Sequence, residues 1–325
     1  MNILTVKKTT AWAAAGLGLC LRLLPVLTVL LALLWSLPSL AAETVGALIS
    51  GPIAVGFTKS SFVNVNGNDL EASFKTFLEI VGRKRGYLLQ PVTHIFDNSS
   101  AFEAAIKSGS IQVAVVDSWQ FLTMDIHQHM QPVFVPADRD QVGRKYLLLT
   151  RQGSGLNSLA DLRGKGLTKL ELAGANIGNY WLNTLLLANQ LDTQESFFGA
   201  VETVAKPTAA VLPVFFGKKS CCFVDQTGFD IMAELNPQVG RGLQVVASSE
   251  TYLDLLVCLG NTGWNGPRGK EDCMASLSEL HLEPAGQQIL TLFKVSRLVP
   301  FEARQLDEVK KLRATCDQWL KEAKP

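Results

Sequence analysis

The 325-residue chain lacks most of the signatures from which a catalytic or nucleic-acid role is read. It has no G-x-S-x-G elbow, no H-E-x-x-H pair and no P-loop, so no hydrolase, zinc-protease or nucleotidase motif is on offer. Histidine is scarce: His94, His127, His129 and His281 are scattered, and only His127-x-His129 forms a close pair, which reads as polar surface before it reads as a metal site. The cysteine spacings fit no zinc pattern. Charged residues make up only 18%, and no basic stripe is interleaved with aromatics, which excludes a nucleic-acid binder. Neither a metal nor a cofactor is expected, and no enzymatic turnover.

Long apolar runs are also missing, except at the N-terminus. There Lys7, Lys8 and Arg22 precede the uncharged run LLPVLTVLLALLW, and SLPSLAAE follows with Ser39 and Ala41 as small residues flanking a cleavage point. This is the pattern of a secretory signal peptide over residues 1–42. The alternative is an uncleaved membrane anchor, although the apolar run is short for a full span of about 20 residues. Removal takes Lys plus Arg from 30 to 27 against 29 acidic residues, a net charge of about −2. An exported, periplasmic and soluble product is expected, anchored only if the signal stays.

Five cysteines follow that segment: Cys221, Cys222, Cys258, Cys273 and Cys316. An odd number cannot all pair internally. Cys221 and Cys222 lie in an apolar run, where cysteine behaves as a small hydrophobe. The other three can supply one disulfide in an oxidising compartment.

What is present is alternation. IAVGFT reads as a strand, and residues 69–85 as a helix with Leu70, Phe74, Phe77, Leu78 and Val81 on one face, Asn68 or Asp69 as its cap and Gly86 as its stop. LLQPVTHIF is a second strand. SSAFEAAIKSG is a short helix with Ser99 or Ser100 as its cap, and IQVAVV is a third strand. Strand–helix alternation over about 70 residues implies βαβ units and parallel pairing. QPVFVPADRDQVGRKYLLLTR holds two more strands that cross out of this first lobe. A second series then runs through TKLELA, NYWLNTLLLANQL, AAVLPVFFGKK and SCCFVD, and the strands LQVVASS and DLLVCLG and two late helices complete the chain.

The two series echo each other. AIKSGSIQVAVVDSWQF and PVFFGKKSCCFVDQTGF both place a glycine eight residues before an aspartate and a phenylalanine four residues after it. Asp117 and Asp225 thus end equivalent buried strands. In parallel sheets the ligand crevice lies beyond the carboxyl ends of the strands, so each lobe brings one aspartate there. The competing reading is that both aspartates cap the helices that follow.

With these segments in order, residues 46–322 resemble the periplasmic substrate-binding proteins of phosphate, phosphite and phosphonate ABC transporters. The likeness rests on VGFTKSSFVNVNGNDLEASFKTFLEIVGRKRGY, HIFDNSSAFEAAIKSGSIQVAVVDSWQFL, LNSLADLRGKGL, FFGKKSCCFVDQTGFDIMAELNP and EPAGQQILTLF. It implies the two-lobed α/β fold of a type 2 periplasmic-binding protein. Each lobe would be a mixed, mostly parallel sheet flanked by helices, with a ligand clamped between the lobes by hinge closure. The lobes are expected at 46–150 and 151–250, with 251–325 as the return crossing and C-terminal helices on lobe 1. The implied partners are a small-molecule ligand and an ABC permease, or else a membrane sensor, and the implied state is a monomer. The chain departs from the family pattern in carrying Gln112 in the third strand and Asp117, Ser118, Trp119 and Phe121 after it.

An oxyanion needs hydroxyls, backbone N–H groups or a cation. Candidates are Thr58, Lys59, Ser60 and Ser61 after the first strand, Ser118 beside Asp117, Asn176 and Asn179 before a helix, and Lys206 with Thr208 before another. Thr208 and Asn179 also suit helix caps, and both lysines also suit solvated surface. Asp117 and Asp225 repel a fully ionised phosphate. With Trp119, Tyr180 and Trp181 they suit a ligand that also carries an amine or cationic end.

Overall fold

The computed structural model describes residues 48–322 apart from 62–65, 140 and 172–175. The expected signal peptide, 1–42, lies outside the described residues. No described helix is long and apolar enough to cross a membrane.

The first lobe is built on strands β1 (Ile49–Thr58), β2 (Tyr87–Phe96), β3 (Val113–Asp117), β4 (Met130–Asp138) and β5 (Gln141–Val142). The second is built on β6 (Tyr146–Arg151), β7 (Gly166–Leu170), β8 (Ala200–Val204), β9 (Cys221–Asp225) and β10 (Leu243–Ser248). The chain then returns to the first lobe through β11 (Leu255–Gly260) and β12 (Arg297–Pro300). The sheet orders are β12-β4-β11-β3-β1-β2, with β5 on β4, and β10-β6-β9-β7-β8. Both sheets are mixed. β1 is parallel to β2 and β3, and β7 is parallel to β8 and β9, whereas β4, β11 and β12, and β6 and β10, pair antiparallel.

The local reasons are visible in the sequence. Ile53–Thr58 of β1 is buried on both faces, as a strand covered by helices must be. The helix Gly67–Lys84 buries Leu70, Phe74, Phe77 and Val81 against it, one apolar stripe at helical spacing. Its cap is Asn66, two residues before the nearer expected cap, because Asn66 Oδ1 accepts from Asn68 N at 2.9 Å. Likewise the helix Ser99–Lys107 is capped by Asn98, not by Ser99 or Ser100. Asn98 has the extended backbone a cap needs and accepts from Ala101 N at 2.8 Å. The echo between the lobes is structural. Gly109 and Gly217, at φ 73° and 72°, end the helices before β3 and β9, a left-handed position that favours glycine.

The lobes are joined by two crossings, Gly143–Lys145 and residues 249–254, and these are bonded to each other. Arg144 N donates to Tyr252 O at 2.7 Å and Tyr252 N donates to Arg144 O at 2.9 Å. Tyr146 N donates to Ser249 Oγ at 2.8 Å, and Ser249 N to Tyr146 O at 2.9 Å. One apolar cluster runs past this joint, from Val116 and Phe121 through Tyr252 and Leu253 to Tyr146 and Phe223. The C-terminal helix Asp307–Glu322 adds Val309 and Leu312 to it. That helix lies against both the Ser118–Thr123 helix of the first lobe and the Asn176–Ala188 helix of the second.

The five cysteines are free thiols. No disulfide joins Cys258, Cys273 and Cys316, which lie in β11, in the helix Gly269–Ser278 and in the C-terminal helix. Burial pushes the Cys221 thiol up to about 12, so it acts as core.

Gly143 has φ 83°, and a Cβ there would stand 2.6 Å from Tyr252 O on the other crossing. Gly143→Ala is expected to lower stability by about 1–3 kcal/mol, measured by urea unfolding. An unchanged midpoint would show that the crossing relaxes around the methyl group.

Candidate functional site

β3 and β9 each end in an aspartate that begins a helix. Asp117 Oδ1 accepts from Gln120 N at 2.8 Å, and Asp225 Oδ2 accepts from Gly228 N at 2.9 Å. Both therefore cap, as the competing reading held. Capping uses one oxygen of each carboxylate, and the second oxygens differ. Asp117 Oδ2 accepts from Ser60 Oγ at 2.9 Å. Asp225 lines an interlobe cavity of about 260 Å³.

Asp117 is fully buried. Burial pushes its pKa up to about 6, against the opposing pull of its bonds from Gln120 and Ser60. Ser60 belongs to a hydroxyl chain at the end of β1: Thr58 Oγ1 lies 3.0 Å from Ser60 Oγ and 2.8 Å from Ser61 Oγ, and Ser61 Oγ donates to Val115 O. Thr58, Ser60 and Asp117 thus form one hydrogen-bonded group. Ser118 is turned to the second crossing, with N donating to Asp254 O at 2.9 Å and Oγ donating to Leu253 O.

Trp119 and Tyr180 come from opposite lobes and meet. Their rings stack with centroids 3.8 Å apart and 16° between planes. Both are half-buried. Burial and then the nearby Asp117 carboxylate raise the Tyr180 pKa. Asn176 is the first residue of the helix that carries Tyr180. Asn179 Oδ1 accepts from Lys169 Nζ at 3.0 Å, and Trp181 is buried against Phe223.

The two lysines stand apart from this group. Lys59 is exposed and pairs with the equally exposed Asp97 at 3.3 Å. Lys206 sits at the cap position of the helix Pro207–Phe215 with no side-chain cap bond, and it and Thr208 are exposed. Gln112 occupies the opposite end of β3. Its Oε1 accepts from Ala54 N at 2.8 Å and its Nε2 donates to Gly109 O, so it ties β3 to its neighbours and not to the cleft.

Sequence reasoning missed the groups on the crossings. Arg144 Nε lies 2.8 Å from Asp254 Oδ2, and Tyr146 OH donates to Asp254 Oδ1 at 3.1 Å. Burial raises the Asp254 pKa and Arg144 opposes the rise. Burial alone would lower the Arg144 pKa, but Asp254 pushes it further up. Both residues line the 260 Å³ cavity with Asp225. The signal was a lone arginine between Gly143 and a strand in QVGRKYLLL, which reads like any turn cation.

The region is therefore acidic at its centre. Asp225 and Asp254 line the cavity with Arg144, and Asp117 is buried near Asp254, outside that lining. The cavity can hold a small ligand, with a guanidinium for anionic oxygens and carboxylates for an amine, while the Thr58–Ser60–Asp117 group and the Trp119–Tyr180 stack stand outside its lining.

Residues 47–306 match a family described as ABC transporter, phosphonate, periplasmic substrate-binding protein. Among solved structures, a Xanthomonas citri protein bound to chloride ion has 13% identity and a TM-score of 0.59, with 84% of this chain and 99% of that chain covered. The protein PhnD1 from Prochlorococcus marinus, in complex with methylphosphonate, has 14% identity and a TM-score of 0.54, covering 82% and 98%. A binding-protein component of an ABC phosphonate transporter from Pseudomonas aeruginosa has 13% identity and a TM-score of 0.53, covering 82% and 86%. At these identities the likeness is one of fold. No curated protein matches the sequence.

Asp117 titrates higher when folded than when unfolded, so its contribution to stability is greatest below pH 4. That contribution falls as pH rises through about 6. Asp117→Asn keeps an acceptor for Gln120 N and removes the charge. Between pH 4 and pH 7.5, its stability relative to the parent is expected to rise by up to about 3 kcal/mol, read from urea melts at each pH. Parallel pH profiles would refute the assignment.

Proposed function

Because the chain belongs to the periplasmic substrate-binding proteins of phosphonate ABC transporters, we propose that its ligand is a small phosphonate-, phosphite- or phosphate-like oxyanion that also bears an amine. As a member of that family it is a solute-binding protein of a transport system, working with an ABC permease. The single observation that supports this ligand is the convergence of the Arg144 guanidinium with Asp225 and Asp254 on one cavity at the crossings of a two-lobed fold. Carboxylates so placed disfavour a bare dianion and favour a ligand whose positive end answers them.

In this reading, Ser60 and Thr58 present hydroxyls, Asp117 and Asp225 receive the amine, and Trp119 and Tyr180 flank the ligand once their stack parts. Asn176, Lys206 and Thr208 lie at helix starts of the second lobe and reach the ligand only when the lobes close on it. Lys59 reaches it by leaving Asp97. Ser118 holds the first lobe to the crossing. The lobes divide at the crossings, and rotation there closes them without chemical turnover. The protein is exported by residues 1–42 to the periplasm and acts as a monomer. A sensor role on a membrane kinase or chemoreceptor uses the same cleft, but a family of transport components does not favour it.

A thermal-shift series tests the ligand class. Phosphate, phosphite, alkylphosphonates and aminophosphonates are supplied to the purified protein. An aminophosphonate at 100 times its Kd is expected to add about 2.7 kcal/mol of stability, a rise of several degrees in Tm. If only amines or neutral compounds raise Tm, the oxyanion fails.

Calorimetric titration tests the carboxylates. Asp117→Asn and Asp225→Asn should each weaken an aminophosphonate by roughly 10-fold or more, the worth of a charged hydrogen bond, and weaken methylphosphonate little. Unchanged affinity in both variants would remove the two aspartates from the site.

A further inference from the structure

We infer that the residue receiving the ligand's anionic oxygen is Arg144, on the first crossing, and not Lys59 or Lys206. The inference rests on the solute-binding reading above and adds to it the position from which charge is supplied.

The cavity of about 260 Å³ is walled by both lobes and by both crossings: Asp225 and Pro207 from the second lobe, Pro136 and Lys294 from the first, and Arg144 and Asp254 from the joint. Arg144 meets Asp254 through Nε at 2.8 Å. A guanidinium has five N–H donors in a planar fork, more than one carboxylate oxygen can take up, so the fork has donors for a second, planar acceptor. Its side chain keeps 26% exposure while Asp254 keeps 10%, so the arginine is the wet member of the pair. The lysines expected from the sequence do not compete for this place: Lys59 is paired with Asp97, and Lys206 is exposed outside the cavity lining.

The neighbouring acids define what enters. Asp138, Glu171 and Asp225 line the same cavity with Lys294, so with Asp254 the acids outnumber the cations and disfavour a second negative charge. The class is a singly charged oxyanion, or one whose second charge is balanced by its own amine. Two oxygens of such a group match the free edge of the guanidinium. Because Asp254 already takes the Tyr146 hydroxyl, it can stay satisfied while Arg144 turns part of its donor set to the ligand. The contact then forms on the crossing itself, between residues whose backbones are paired at 2.7 and 2.9 Å.

The test uses methylphosphonate and 2-aminoethylphosphonate as probes on the purified full-length protein. Arg144→Lys preserves the charge beside Asp254 and removes the fork. It is expected to melt cooperatively and to bind both probes at least 10-fold more weakly than the parent. Asp254→Asn, which releases the arginine, is expected to bind them as tightly as the parent or more tightly. A folded Arg144→Lys with parental affinity overturns the inference. So does Asp254→Asn losing as much affinity as Arg144→Lys, because the pair would then matter only as structure.

A readout on the parent protein does not depend on either variant folding. Phenylglyoxal labelling, followed by peptide mass analysis, should modify Arg144 at least fivefold more slowly with methylphosphonate present. Unchanged labelling under saturating probe overturns the inference. A parent protein that binds neither probe defeats the oxyanion reading itself, a result distinct from parental binding that survives Arg144→Lys.

Discussion

Two backbone hydrogen bonds between Arg144 and Tyr252 are the constraint on which the rest of the molecule depends. They make the two crossings a short antiparallel ladder, so the lobes are joined by one stiffened joint and not by two independent tethers. The Arg144–Asp254 ion pair sits on that ladder. A buried ion pair is weak evidence of stability, since desolvation offsets much of the attraction, but losing one partner leaves a costly unpaired charge. Its value here is positional. Asp254 is held at once by Arg144, by the Tyr146 hydroxyl and, through its backbone carbonyl, by Ser118 N. The first residue of the helix after β3 is thereby fastened to the joint.

The two strand-ending aspartates show how one local device supports two environments. Each has extended backbone and caps the helix that follows it. In the first lobe the remaining oxygen is bonded to a serine of the β1 loop and fully buried. In the second it belongs to a residue on a cavity wall. Capping and ligand contact are not exclusive, because a carboxylate has two oxygens and a cap needs one.

The fold was largely legible. Buried strands such as IAVGFT and SCCFVD, the helical stripe of Leu70, Phe74, Phe77 and Val81, and the glycine stops at 109 and 217 are short-range signals with direct physical causes. Cap identities slipped because asparagines at 66 and 98 stand one or two residues before equally plausible candidates, and only the backbone angle decides among them. The antiparallel share of each sheet was harder to read. β11 returns between β3 and β4 from more than a hundred residues away, and no local pattern encodes that insertion. The candidate site was legible where residues end strands and obscure where they ride the crossings. Arg144 and Asp254 acquire meaning only from each other, 110 positions apart.

The stacked rings of Trp119 and Tyr180 have a consequence for how tightly any solute is held. They join the two lobes with the protein's own surface, so a solute entering between them, as proposed, would displace a favourable contact before making its own. The measured dissociation constant is then the intrinsic one divided by the fraction of molecules whose rings are apart. On that proposal, substituting either ring for a weaker stacking partner would retune affinity for every ligand by a common factor and leave discrimination among ligands to the polar groups around Arg144. Sensitivity and selectivity would then be separately adjustable, one by an aromatic contact and the other by the charges at the joint.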